Sequence, residues 1–123
     1  MQGIILFAHG ARDPSWAKPF LEIRDRVRAR RPGTEVELAF LELMQPLLPD
    51  TVHCLASRGA MNITIFPVFM AQGGHLKKDL PRIVDELRAE IPGVSINVES
   101  AVGDVPEILE SIAAWVVERA AKP

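Results

Sequence analysis

The stretch Ile4-Ile5-Leu6-Phe7-Ala8 decides the fold class. Its five apolar residues follow one another without the alternation of apolar and polar side chains that a strand with one solvated face shows. A continuous apolar run of this kind is typical of a strand covered on both faces, as in a parallel sheet. His9-Gly10 follows directly, so we expect the first strand to end there.

Three further strand patterns follow along the chain. In the second, Val36, Leu38 and Phe40 alternate with other residues, and the strand is expected to run on toward Leu41-Glu42-Leu43. The third pattern runs from Ile63 to Phe69, and the fourth has Val94, Ile96 and Val98. β-Branched and aromatic residues favour strands, and a proline inside the third predicts its end near Pro67.

Helical patterns separate these strands. The first helix is predicted from Trp16, Phe20, Ile23 and Val27, which recur at helical spacing before Pro32-Gly33, with an irregular first turn expected at Pro19. The second is a short helix capped by Asp50 that ends at Gly59. The third has an apolar stripe of Leu80, Ile83, Val84, Leu87 and Ile91, and the last begins at a capping box of Asp104 and Glu107 and continues through Ile108, Ile112, Trp115 and Val116.

The resulting order is β-α-β-α-β-α-β-α. Crossovers between parallel strands are right-handed, so this order predicts an open, mainly parallel four-stranded sheet with helices on both faces. The chain length of 123 residues suits one α/β domain over residues 1–123.

Composition excludes several classes of protein. A chain that is 48% hydrophobic and 24% charged is not disordered, and a net charge of −2 does not suit a nucleic-acid binder. No apolar run approaches the roughly 20 residues that span a bilayer, so no membrane association is expected. Cys54 is the single cysteine, which excludes an internal disulfide and is interpreted as a small buried residue. Together with the absence of a secretory signal pattern, this predicts a cytoplasmic protein.

Three residues with metal-binding side chains follow the predicted strands. In open parallel sheets, ligands bind beyond the carboxyl ends of the strands, where His9, Glu42 and His75 are expected. Imidazole and carboxylate groups converging on one edge have the composition of a metal site. Taken singly, each has an ordinary alternative: His9 bonding to backbone, Glu42 solvated, and His75 a surface histidine in a Gly-Gly loop.

Other residues at the same edge suggest how a ligand would be held. Gly73 and Gly74 suit a sharp turn or a close backbone approach. Arg12, Lys77 and Lys78 would make the edge locally positive, the alternative for the lysines being a solvated helix start. No dinucleotide fingerprint, phosphate-binding loop or nucleophile elbow occurs. We interpret the third histidine, His53, as structural.

Three separated motifs resemble the small sirohydrochlorin chelatases, the short class II cobaltochelatases and ferrochelatases. They are His9-Gly10-Ala11-Arg12-Asp13-Pro14, Phe40-Leu41-Glu42-Leu43 followed by Pro46, and Pro67-Val68-Phe69-Met70-Ala71-Gln72-Gly73-Gly74-His75 running into Asp79-Leu80-Pro81. The resemblance covers nearly the whole chain in the family's order and spacing. One departure is Ala11, where members often have Ser.

The resemblance implies an enzyme, a lyase that inserts Co²⁺, Fe²⁺ or Ni²⁺ into sirohydrochlorin, a tetrapyrrole, without nucleotide hydrolysis, in cobalamin or sirohaem biosynthesis. It implies metal-handling and catalytic roles for His9, Glu42 and His75, and no cofactor beyond the metal substrate. Tetrapyrrole contacts are expected from Arg12, Gly73, Gly74, Lys77 and Lys78, with apolar walls from Phe69, Met70 and Leu76.

Longer chelatases of this class resemble two such domains facing each other across one cleft. Because this chain carries one copy of each motif, a homodimer is expected. A non-catalytic metal-delivery protein with the same His-Glu-His site is the alternative function, and a purely structural domain remains open. A histidine phosphatase is disfavoured, because Ala8 stands where such enzymes place an arginine.

Overall fold

A computed structural model describes residues 1–121 and shows four parallel strands in one sheet. The strands are β1 (Gln2–Ala8), β2 (Glu35–Phe40), β3 (Asn62–Pro67) and β4 (Ser95–Val98), arranged in the order β2-β1-β3-β4. The parallel pairing confirms the predicted fold class. All four carboxyl ends therefore lie along one edge of the sheet.

Four helices connect or follow the strands. They are α1 (Lys18–Arg30), α2 (Leu48–Ser57), α3 (Gly74–Glu90) and α4 (Pro106–Ala120), with short 3-10 turns at Pro14–Ala17 and Val102–Asp104. The first of these turns precedes α1, whereas Pro19, expected to make the first turn of the helix irregular, occupies one of its first two positions. Within residues 1–121, no helix is both long and apolar enough to cross a membrane.

The sheet is packed on both faces, but not over its whole width. On one face, α2 and α3 cover side chains such as Ile5, Ile65 and Ile96. On the other, Phe20 and Val27 of α1 pack against a second cluster formed by β1 and β2. The residues of β1 from Gly3 to Ala8 are all buried, which confirms the interpretation of the continuous apolar run.

The second strand is shorter than predicted. It ends at Phe40 instead of continuing through Leu43, because Leu43 has a φ of 67°, in the left-handed region that extended strands exclude. The chain returns so that the N–H of Phe40 donates to the carbonyl of Pro46 at 2.9 Å. Glu42 therefore lies on a bent loop at the edge of the sheet.

Two predicted helix caps are wrong. Helix α2 begins at Leu48, so Asp50 lies in its first turn and does not cap it. Helix α4 has Val105 at its N-cap, with no side-chain cap hydrogen bond, because Asp104 belongs to the preceding 3-10 turn. In both helices a proline occupies one of the first two positions, where its missing N–H removes a donor that would otherwise need a cap.

The short helix α2 corrects one further prediction and clarifies another. Cys54 is exposed, since the buried side of α2 is formed by Leu48, Val52 and Leu55 instead. His53 contacts Glu90 of α3, with Nε2 to Oε2 at 2.6 Å, which ties the outer surfaces of two helices together.

Candidate functional site at the carboxyl ends of the strands

Two of the predicted site residues are in direct contact. Nε2 of His9 lies 3.1 Å from Oε1 of Glu42, and both side chains are about half exposed. An ionised carboxylate can only accept a hydrogen bond, so the contact requires the imidazole tautomer, or the charged form, that carries hydrogen on Nε2. In the neutral ring, Nδ1 then holds the free lone pair.

The backbone, more than the side-chain contact, holds these two residues together. The N–H of Leu41 donates to Ala8 at 3.0 Å, and the N–H of Glu42 donates to His9 at 3.2 Å. Gly10 has a φ of 102°, and a Cβ added to it would overlap the carbonyl of Glu42. The two loops therefore approach closely only because residue 10 is a glycine.

The 3.1 Å separation suits a metal ion as well as a proton. With metal–ligand bonds of about 2.1 Å to each atom, the angle at the metal would be roughly 95°, close to the right angle between neighbouring ligands in an octahedral site. His9 and Glu42 can thus act as adjacent ligands with little side-chain movement.

The third predicted ligand, His75, lies on a different element from the one expected. It belongs to the first turn of α3, because the helix begins at Gly74 and not beyond the Gly-Gly pair. Since β3 pairs directly with β1, the chain segments after both strands leave the same edge of the sheet. Among residues 1–121, however, no three His, Cys, Asp or Glu side chains form a group that could hold a metal ion.

The three predicted cations lie on different parts of the surface near this edge. Lys78 and His75 line one shallow hollow together with Gly74, whereas Lys77 lines a groove between α3 and β4 that also contains Asp85. Gly73 is the exposed N-cap of α3. Arg12, on the loop after β1, is exposed. None of these three cations forms an ion pair within the described part of the chain, so all three can meet an anionic ligand.

Asp13 fixes the shape of the loop after His9. Its Oδ1 accepts the backbone N–H of Ser15 at 3.0 Å and so caps the 3-10 turn that follows. This hydrogen bond, with a smaller contribution from the Ser15 side chain, lowers the pKa of Asp13 below its usual range. The loop carrying His9 is thereby tied at both ends.

The apolar walls expected from the sequence are only partly available. Phe69 and Leu76 are buried in the core, and Phe69 packs edge-on against Phe7 with ring centroids 5.4 Å apart. Met70 is 60% exposed and remains a candidate wall. Leu43, which is 57% exposed beside Glu42, was missed because the second strand was expected to run on through it. The left-handed backbone that turns it outward has no clear signal in the sequence.

The segment between β3 and α3 is anchored by a second close approach. The N–H of Gly103 donates to the carbonyl of Phe69 at 2.9 Å, and a Cβ at Gly103 would overlap the carbonyl of Met70. The 3-10 turn after β4 therefore supports the loop that leads to His75.

Comparison with known proteins assigns the family. Residues 3–119 match the family model CbiX. The chain belongs to the CbiX family. Its three motif segments thus lie in a family-wide sequence pattern that covers almost the whole chain.

Individual relatives agree with this assignment. The chain is 31% identical over 84 residues to a sirohydrochlorin cobaltochelatase of Methanococcus maripaludis, and the match covers 68% of this chain and 58% of that protein. A crystal structure described as a CbiX protein of cobalamin (vitamin B12) biosynthesis, from Marinobacter aquaeolei, has a TM-score of 0.86 at 30% identity and covers 100% of both chains. The chain therefore spans less than two thirds of the methanococcal relative and all of the Marinobacter one.

A more distant likeness concerns the fold alone. The sirohydrochlorin chelatase SirB of Bacillus subtilis, in complex with cobalt, has a TM-score of 0.79 at 20% identity. The match covers 95% of this chain but 50% of that chain. This CbiX-family chain thus has the fold of half of a longer protein.

Proposed function

We propose that this chain, as one chelatase-like α/β domain over residues 1–123, is an enzyme that inserts Co²⁺, Fe²⁺ or Ni²⁺ into sirohydrochlorin without nucleotide hydrolysis. The observation that carries the proposal is the contact of His9 and Glu42 at the carboxyl edge of a CbiX-family sheet. The relative from Methanococcus maripaludis, a sirohydrochlorin cobaltochelatase, supports the choice of tetrapyrrole. The product would serve cobalamin or sirohaem biosynthesis.

Metal insertion needs a site that binds the ion and then releases it. His9 and Glu42 supply two adjacent ligands, and the remaining coordination positions stay open for water and then for pyrrole nitrogens. Two exposed ligands hold an ion less firmly than a closed site of four protein ligands, so transfer to the four nitrogens of the macrocycle is favourable.

The reaction also releases two protons, because a divalent ion replaces the two hydrogens on the pyrrole nitrogens. The carboxylate of Glu42 and the imidazole of His9 are both proton acceptors, and their contact lets a proton pass from one to the other. His75, exposed in the first turn of α3, is the next histidine along the same edge and is proposed as the third metal-handling and catalytic residue.

The macrocycle combines an apolar ring with anionic carboxylate side chains. Leu43 and Met70 present exposed apolar surface after β2 and β3, the two strands that flank β1, where a flat ring can rest. Arg12, Lys77 and Lys78 are exposed cations around it and can bind the carboxylates. Gly73 and Gly74 add no side chain that would block the approach of the ring.

We also propose that two copies act together as a homodimer. The fold covers half of the SirB chain, so a second copy would complete an assembly of comparable size. A facing copy would provide a second wall and a second set of metal-handling residues across the cleft.

The test is metal insertion followed by absorbance spectroscopy, with purified protein, sirohydrochlorin and each of the three metals in parallel. We expect metal-dependent spectral change above the non-enzymatic rate, and its loss in His9→Ala, Glu42→Ala and His75→Ala. The matched control is His53→Ala, because His53 also contacts a glutamate, at 2.6 Å, but lies on α2. If the His9→Ala variant and the His75→Ala variant both inserted metal at the wild-type rate, the site assignment would be refuted.

The alternative function is metal delivery without catalysis. Equilibrium dialysis measures metal binding independently of insertion. The delivery protein would be favoured if the wild type binds metal and His9→Ala does not, while the wild type accelerates insertion of none of the three metals. This result would overturn the enzyme proposal.

A further inference from the structure

The two outer strands of the sheet each have an edge to which another strand could be added. Within the described residues 1–121, the order β2-β1-β3-β4 leaves β2 and β4 paired with a strand on one side only. An unpaired edge presents a row of N–H and C=O groups and is a template for pairing with another chain. Protection of these edges therefore depends on side chains and loops.

Alternate residues of β4 direct their backbone groups away from β3. The N–H groups of Ser95 and Glu99 donate to carbonyls in or next to β3, both at 2.9 Å. In a parallel pair every second residue faces the neighbouring strand, so the odd-numbered residues of β4 face β3. The backbone groups of Ile96 and Val98 consequently face the open edge.

An arginine of α3 binds the outward carbonyl of Ile96. Nη2 of Arg88 donates to this oxygen at 2.7 Å, and Nε donates to it at 3.2 Å. Nη1 of the same guanidinium donates to Oδ1 of Asp85, one turn earlier on α3, at 3.3 Å. The guanidinium is thus held across the edge, and a strand added to β4 would have to displace it.

The opposite edge of the sheet is covered in the same way. Nε of Arg28 in α1 donates to the carbonyl of Val36 in β2 at 2.9 Å. At both edges the arginine lies on the helix before the strand, eight positions ahead of the residue whose carbonyl it binds. The loop after β2 adds further cover, because the N–H of Phe40 donates to the carbonyl of Pro46 at 2.9 Å.

The edge of β4 is less completely covered than that of β2. The side chain of Val98 is 39% exposed, and its backbone groups face outward next to the carbonyl that Arg88 binds. Val98 and Arg88 line a groove between α3 and β4 that also contains Lys77. A strand laid along β4 would therefore lie across this groove and cover Lys77.

We propose that Arg88 prevents the edge of β4 from pairing with the β4 edge of a second copy. Two identical edges can pair antiparallel about a two-fold axis, so the contact that Arg88 prevents is self-complementary. The free energy needed to break the two hydrogen bonds to Ile96 opposes this pairing. The same contact keeps the groove beside Lys77 accessible, and it does not depend on the proposed reaction.

A purely stabilising role for Arg88 predicts a different behaviour. In that case its removal would lower the free energy of unfolding, and association would follow only from unfolded chains. If Arg88 protects the edge, water can bind the freed carbonyl of Ile96 at the surface, and folded copies associate through β4.

The test is sedimentation velocity of the folded protein over a range of concentrations, without metal or tetrapyrrole. Arg88→Met keeps an apolar stem and removes the N–H groups of the guanidinium. We expect Arg88→Met to form larger assemblies than the wild type at concentrations at least about tenfold lower, because hydrogen bonds from a charged donor no longer have to break. Circular dichroism should show a folded protein under the same conditions.

Matched variants separate edge pairing from a change of charge. Arg82→Met removes the same charge from the same helix, but Arg82 pairs with Asp79 at 3.6 Å and with Glu86 at 3.2 Å, so this variant should sediment as the wild type does. Arg88→Gln repeats the test if Arg88→Met loses its circular dichroism signal.

A second substitution at Val98 identifies the surface that pairs. Val98→Pro removes an outward N–H without removing a hydrogen bond to β3, and proline is tolerated on edge strands. Added to Arg88→Met, it should restore the sedimentation of the wild type. Val98→Ala, which keeps the N–H, should not restore it.

Four results would overturn the proposal. Wild-type sedimentation of both Arg88→Met and Arg88→Gln would show that Arg88 does not protect the edge. Equal assembly of Arg82→Met would attribute the effect to lost charge alone. Assembly that persists after Val98→Pro is added would place the contact away from β4, and assembly of unfolded chains only would leave Arg88 a stabilising role.

Discussion

Replacing Gly10 with alanine tests whether backbone approach creates the site. The residue has a φ of 102°, and the added Cβ would overlap the carbonyl of Glu42. The left-handed backbone costs a non-glycine residue about 1–2 kcal/mol. Relief of the overlap requires the Glu42 loop to move by on the order of 1 Å, which would break the 3.1 Å contact with His9.

A misplacement of about 1 Å can reduce a catalysed rate roughly 100-fold, equivalent to about 2.7 kcal/mol of transition-state free energy. We therefore expect Gly10→Ala to lose both stability, measured by urea unfolding, and kcat/KM for cobalt insertion. Gly33→Ala is the matched control, because Gly33 has a φ of 90° but no atom within 4 Å of an added Cβ. It should lose stability alone. Equal insertion rates for the two variants would refute the reasoning.

Two further predictions concern the neighbouring loops. The added Cβ of Gly103→Ala should displace the carbonyl of Met70 and so increase proteolysis between β3 and α3. The rate of metal insertion should fall by about tenfold or more. Unchanged proteolysis would contradict this anchoring role of Gly103. The hydrogen bond from the Ser15 N–H lowers the pKa of the Asp13 carboxyl group in the folded protein. The stability that this hydrogen bond provides should therefore be complete at pH values above the ordinary pKa of an aspartate, and it should be lost as the pH falls through the lowered pKa of the folded state. The difference in unfolding free energy between wild type and Asp13→Ala should thus be constant above about pH 5 and shrink below about pH 4; a constant difference down to pH 2 would be inconsistent with it.

The sequence predicted the layers of the fold because hydrophobic periodicity reports which faces of an element are buried. The run Ile4 to Ala8 indicated a doubly covered strand, and the structure buries each of these residues. The same reasoning was wrong for the end of β2 and for Cys54. Periodicity contains no information about a left-handed residue such as Leu43, and it does not determine which side of a short helix such as α2 meets the core.

The candidate site shows the same division. Sheet topology could predict that His9 and Glu42 lie on one edge, and the structure places their side chains in contact. It could not predict that α3 begins early enough to include His75, or that Phe69 packs inward against Phe7. Those details depend on side-chain packing between residues far apart in the chain.

The exposure of α4 has a consequence for how the molecule becomes ordered. Isolated helices of about 15 residues are marginal in water, and α4 has 15 residues with no buried side chain to stabilise it. Its helical structure in a separated copy would fray, and its amide hydrogens would exchange rapidly with solvent. Any surface that buries Trp115 would therefore also order the last helix, so docking and helix formation would occur together.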